Sequence, residues 1–164
     1  MNLYRYTNVT PNRSAGFDNT IIIHEYAHGI SNRLTGGPAA DSCLEKDESE
    51  GMGEGWSDIM ALIVLAKSSD TATTEIPIGT YIAKQRRCQS EGNIVAMKII
   101  IGGMMIQSCN PTFLDARDAI ITADFNNYQG ANKCEIYKGF AKRGLGLGAT
   151  DTRTNDFSVP PECQ

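Results

Sequence analysis

Histidine is scarce in this sequence: 164 residues hold only His24 and His28. Serine-hydrolase chemistry needs a histidine with no other duty, and none remains if both bind a metal. The five cysteines, Cys43, Cys88, Cys109, Cys134 and Cys163, include no CxxC pair, so a thiolate zinc site is not expected. There is no basic stripe either. Fifteen Lys and Arg stand against nineteen Asp and Glu, for a formal net charge of −4, so nucleic acid is not an expected partner. Long apolar runs are missing. Residues 59–66 are too few to span a bilayer, and 94–106 is also short and carries Lys98 and two glycines. The first residues, "MNLYRYTNVTPNRSAGFDN", lack an apolar core of signal-peptide length. As written, the chain reads as soluble, with no membrane partner. No internal repeat is visible.

What is there is about one domain of ordinary globular composition. Residues 1–17 read as an irregular lead-in, 18–150 as a helical domain, and 151–164 as a Gly- and Pro-rich tail. Asp18, Asn19 and Thr20 are good N-cap residues, so a helix is predicted to start there and run to about Leu34. The "TGGP" at 35–38 ends it. "AADSCLEKDESEG" reads as a charged loop. A second helix is predicted over about 52–67, a third over 92–107, and a fourth after Thr112, whose pairing with Asp115 resembles a capping box. A fifth covers about 132–143, with Gly144 as its natural stop. The fold class read from this is mainly α. "GLGLG" at 144–148 follows no strand, so it is a turn and not a nucleotide-binding loop. Cys109 and Cys134 are a candidate pair bridging two helices. Asn8-Val9-Thr10 and Asn12-Arg13-Ser14 are two glycosylation sequons, meaningful only in a secreted chain.

Both histidines fall in one short motif, His24-Glu25-Tyr26-Ala27-His28. On a helix, residues four apart share a face about 6 Å apart along the axis, so both imidazoles can reach one zinc ion. Glu25 lies one step round and can take a proton from the water that zinc activates. Catalytic zinc needs a third protein ligand and one open position. Glu54, in "GMGEGWSD", is the best candidate, although spacing leaves Glu45, Glu48 and Glu50 open. Asp58 follows Glu54 by four residues, so both project from one face of the second helix. It could hydrogen-bond the non-ligating nitrogen of His24 or His28, fixing the tautomer and raising ligand basicity. Taken alone, HExxH is a common chance pattern and an acidic helix face is usually just solvated. Together they predict one zinc ion per chain. Trp56 is expected in the core.

Five stretches then resemble a known family: "FDNTIIIHEYAHGISNRLTGGP", "GMGEGWSD", "QSCNPTFLDARDAIITAD", "NKCEIYKGFAKRGLGLGA" and the closing "TNDFSVPPEC". They are similar to the fungalysins, secreted fungal zinc metallopeptidases with a thermolysin-like catalytic fold. The resemblance implies that the chain corresponds to the C-terminal helical half of that domain, with the HExxH helix packed on a second helix that bears the third ligand. It implies His24, His28 and Glu54 as zinc ligands, which favours Glu54 over the other acids. Glu25 becomes the catalytic residue and Asp58 the supporting acid. Protein and peptide substrates and an extracellular destination are implied too. Fungalysins also look longer, with a signal peptide, a propeptide and a β-rich half ahead of the HExxH helix, none of which is found here. Between Trp56 and Asn110 the family has a longer segment with another histidine, which resembles the transition-state stabiliser of thermolysin-like enzymes. Here "TEIPIGTYIAKQRRCQSEGNIVAMKII" stands in its place. Tyr81, Tyr128 and Arg86 are substitutes in principle. The alternative reading is a catalytically impaired zinc-binding fragment, a partner or decoy of full-length enzymes. A third is a helical structural module with a vestigial motif.

Overall fold

The computed structural model describes residues 3–71, 74, 78, 79, 81 and 93–164. Arg86 and Cys88 lie outside the described residues. The described chain is mainly helical. In order it runs β1 (Arg5–Tyr6), β2 (Arg13–Ser14), α1 (Asn19–Leu34), α2 (Asp47–Leu65), α3 (Asn93–Ile106), α4 (Phe113–Tyr128) and α5 (Lys133–Ala141), with single 3₁₀ turns at Ala15–Phe17 and Pro161–Cys163. β1 and β2 form an antiparallel pair, Arg5 opposite Ser14 and Tyr6 opposite Arg13. The chain folds as two compact units, Met1–Ser31 with Gly53–Met97 and Asn32–Met52 with Lys98–Gln164.

In the first unit, the start of α1 is fixed by its cap. Asp18 Oδ1 accepts from the Thr20 backbone N at 3.1 Å, and the Asp18 carbonyl takes the first helical bond from Ile22 N at 3.0 Å. Asp18 Oδ2 also accepts from Tyr81 N at 3.1 Å, and Thr20 Oγ1 accepts from Gly79 N at 2.8 Å. Two short-range polar residues therefore tie down backbone some sixty positions away, and both are buried. The apolar side of α2 supplies most of this unit's core: Trp56, Met60, Ala61, Leu62 and Ile63 are buried, with Ala15 and Ala27. Trp56 is a core residue, as expected from its type.

α2 begins at Asp47, five residues earlier than the sequence suggests. The segment read as a charged loop contributes the first helical turn, where Asp47, Glu48 and Glu50 lie at the positive end of the helix dipole. Gly51, Gly53 and Gly55 in this region masked the signal, since glycine costs about 0.8–1.0 kcal/mol relative to alanine in a helix. Burial of the residues that follow outweighs that cost.

The second unit is stapled and close-packed. Cys43 bonds to Cys109 and Cys134 to Cys163, which corrects the expected Cys109–Cys134 pair. Cysteine spacing carries no pairing information, so helix proximity was the wrong guide. Gly36, at φ +75°, ends α1 where any Cβ would strike the Cys43 sulfur. Gly102 and Gly103 let α3 approach α4, because a Cβ on Gly103 would lie 3.0 Å from Ile120 Cγ1 and 3.3 Å from Ile120 Cα. The Thr112 capping box is fully formed. Asp115 N donates to Thr112 Oγ1 at 3.1 Å and Thr112 N to Asp115 Oδ2 at 2.9 Å. Buried Asp124 accepts from both Asn132 N and Asn132 Nδ2, at 3.0 and 2.7 Å, and so positions the start of α5. α5 ends as predicted. Gly144, at φ +82°, donates to Ala141 O and Leu145 N to Phe140 O, the paired bonds of a Schellman end. In the turn that follows, Gly146 faces the carbonyl oxygen of Ser158 with no room for a side chain.

Candidate metal centre

α1 presents its two histidines one turn apart, and α2 presents Glu54 and Asp58 with the same spacing. All four lie in the first unit. The structure brings His24, His28 and Glu54 together, with their donor atoms within 4.8 Å of one another. His24 Nε2 lies 3.1 Å from His28 Nε2 and 3.2 Å from Glu54 Oε2, and His28 Nε2 lies 3.4 Å from Glu54 Oε1. The two rings meet nearly edge-on, at 84° with centroids 4.8 Å apart, so their Nε2 atoms converge.

Zinc chemistry supplies a test of these separations. Tetrahedral ligands at about 2.0–2.1 Å from the ion are about 3.3–3.4 Å from each other. The two edges that meet at His24 Nε2, 3.1 Å to His28 Nε2 and 3.2 Å to Glu54 Oε2, come close to that spacing, while the 3.4 Å approach of His28 Nε2 is to the other carboxylate oxygen, Oε1.

Protonation points the same way. His24 Nδ1 lies 2.9 Å from Asp58 Oδ1. An ionised carboxylate only accepts, so Nδ1 donates to it, and a singly protonated ring then has its lone pair on Nε2. That lone pair faces the Glu54 carboxylate and the His28 Nε2. A lone pair on Nε2 this close to a carboxylate is repelled by it unless a cation or a shared proton sits between them. The donor set, two imidazoles and a carboxylate, is one that zinc accepts.

Exposure is graded across the site. The His24 and His28 side chains are 14 % and 28 % exposed, while Glu54 is 62 % exposed. The imidazoles are therefore set into the protein and the carboxylate closes the site from the solvent side. Glu25 is half-buried and its carboxylate has no hydrogen-bond partner among the described residues. Of the other acids considered as a ligand, Glu48 is engaged elsewhere, accepting from Phe113 N at 3.0 Å in the second unit. Of the substitute donors, Tyr81 is held by its backbone bond to Asp18 and its ring lies 4.8 Å from the Arg13 guanidinium carbon. Tyr128 is the last residue of α4, in the second unit.

Sequence reasoning missed the anchoring of the α1 N-terminus by Gly79 and Tyr81, through Thr20 and Asp18. Nothing local in the sequence signals bonds between positions so far apart. The Asp18 cap itself was legible.

The sequence model of the fungalysin metallopeptidases (M36) matches residues 1–89 and 83–149. The two pieces meet inside the stretch between Trp56 and Asn110. An extracellular metalloproteinase of Leptosphaeria maculans is 35 % identical over 226 aligned residues, covering 98 % of this chain and 36 % of its own length. Extracellular metalloproteinase 1 of Trichophyton rubrum is 37 % identical over 229, covering 100 % and 36 %. Those 229 aligned positions face a chain of 164, so the relative holds at least 65 residues here without a counterpart. This chain thus spans about a third of the length of the curated relatives it matches. With a family match over more than half its residues, this chain belongs to the fungalysin metallopeptidases.

Proposed function

We propose that this chain carries the zinc centre of a secreted metalloendopeptidase acting on protein and peptide substrates. His24, His28 and Glu54 would hold one Zn²⁺ per chain, Glu25 would be the catalytic carboxylate, and Asp58 would orient His24. The convergence of one possible ligand atom each from His24, His28 and Glu54, within 4.8 Å of one another, carries the reading. The extracellular destination is taken from the relatives, which are named extracellular metalloproteinases.

A bound zinc ion would supply Lewis acidity toward the scissile carbonyl and lower the pKa of water toward neutrality. The chain's own residues do the rest. Asp58 holds the Nδ1 proton of His24 and so keeps Nε2 facing inward. A Glu25 carboxylate oxygen accepts a proton from the attacking water and then delivers it to the nitrogen of the departing amine. Glu25 suits that duty because no described residue competes for its carboxylate.

The test is Glu25→Gln, which has the same shape but cannot accept a proton. Zinc content should match the wild type while casein hydrolysis is lost. Hydrolysis that survives the substitution, or a wild-type chain that holds zinc without hydrolysing casein, would overturn the peptidase reading.

A further inference from the structure

We propose that the loop between β1 and β2 is an N-glycosylation site, with Asn8 and Asn12 as its acceptors. The inference rests on the extracellular destination proposed above, because the modification occurs only on chains that enter the secretory route.

Two sequons fall within seven residues, Asn8-Val9-Thr10 and Asn12-Arg13-Ser14. A sequon alone is weak, since the pattern arises by chance and is useless when buried. Here the fold places both on the surface. Tyr6 opposite Arg13 closes the ladder, and residues 7–12 are looped out beyond it. Asn8, Thr10 and Asn12 are all exposed. Neither asparagine amide has a hydrogen-bond partner among the described residues, so a sugar on Nδ2 displaces nothing.

The two sequons differ in how far the fold engages them. Arg13 lies over the Tyr81 ring at 4.8 Å, and Ser14 Oγ accepts from Gly16 N at 3.3 Å. The second sequon is thus partly built into β2, and its hydroxyl is free only before the ladder forms. In the first sequon nothing but the loop itself is involved.

The chemistry is a redox-neutral transfer. Asparagine Nδ2 forms a bond to C1 of a sugar while the C1–oxygen bond to a lipid-linked pyrophosphate breaks. The amide gives up one proton, and the lipid pyrophosphate leaves with the bonding electrons. The donor class is a lipid-pyrophosphate-linked oligosaccharide.

Arg5 and Arg13 flank the loop, so trypsin releases Tyr6–Arg13 as one peptide holding both acceptors. The full chain is expressed in yeast behind a cleavable secretion leader, and only molecules whose leader has been removed are scored, from medium and membranes alike. Treatment with a peptide N-glycosidase in heavy-oxygen water converts each occupied asparagine to labelled aspartate, read by mass spectrometry. Label at Asn8, Asn12 or both is expected, together with loss of the gel-mobility shift in the Asn8→Gln/Asn12→Gln double variant. An unlabelled peptide from leader-processed chain overturns the proposal. A chain confined to the cells of its own organism would strike at the destination and leave this result standing.

Discussion

Removing the Asp58 carboxylate isolates the part of the proposed site that would not touch the metal. In Asp58→Ala, His24 loses the acceptor at 2.9 Å that holds its Nδ1 proton. The ring is then free to rotate and to adopt the other tautomer, which puts a proton on Nε2 where the lone pair is needed. Supporting bonds of this kind are worth about 10–100-fold in metal affinity, or about 1.4–2.7 kcal/mol. The half-exposed setting of Asp58, 31 % against 14 % for His24, argues for the lower part of that range, because solvent can replace some of the lost bond. Asp58→Asn keeps an oxygen that accepts the same proton and removes only the charge. It should therefore fall between the wild type and the alanine variant. The assay is competition with a chromogenic chelator at fixed pH, which reads zinc affinity without requiring activity. Equal affinity in the wild type and Asp58→Ala would refute the orienting role. Asparagine no better than alanine would show that charge, and not tautomer control, is what matters.

Two further predictions concern the second unit. Breaking Cys43–Cys109, which closes a separation of 66 residues, by Cys43→Ser with Cys109→Ser should cost about 4 kcal/mol in urea unfolding, and more than breaking Cys134–Cys163 at 29 residues. Asp156 is held below the usual carboxylate range, first by the Ser158 hydroxyl and then by Gly148 N–H. A depressed folded value means stability that is present above the unfolded Asp range and is lost as pH falls through the folded value. Ser158→Ala should therefore flatten the fall of the urea midpoint below about pH 4, and an unchanged acid limb would contradict the assignment.

Local chemistry was the most readable part of this sequence. The Asp18 cap, the Thr112–Asp115 box and the Gly144 stop each involve residues within a few positions, and each forms the bonds its residue types call for. The i, i+4 spacing of the acids and histidines was legible for the same reason, since helix geometry alone puts such pairs on one face. That the two pairs face each other was not readable from spacing. It depends on a tertiary approach, which is why Glu45, Glu48 and Glu50 stayed open until family resemblance favoured Glu54. The early start of α2 was hidden because three glycines weaken helix propensity just where buried Trp56 and Met60 restore it. The disulfides were misread because pairing follows the folded chain. Gly36 makes room for the Cys43 sulfur, and no pattern in the sequence announces that contact.

Zinc content of purified chain, measured by elemental analysis beside His28→Ala, tests the central claim most directly. His28 supplies one of the three converging donor atoms, so its loss leaves only His24 and Glu54. One zinc per chain in the wild type, lost in His28→Ala, is the predicted result. Unchanged stoichiometry in the variant would contradict the account, because any metal would then be held elsewhere.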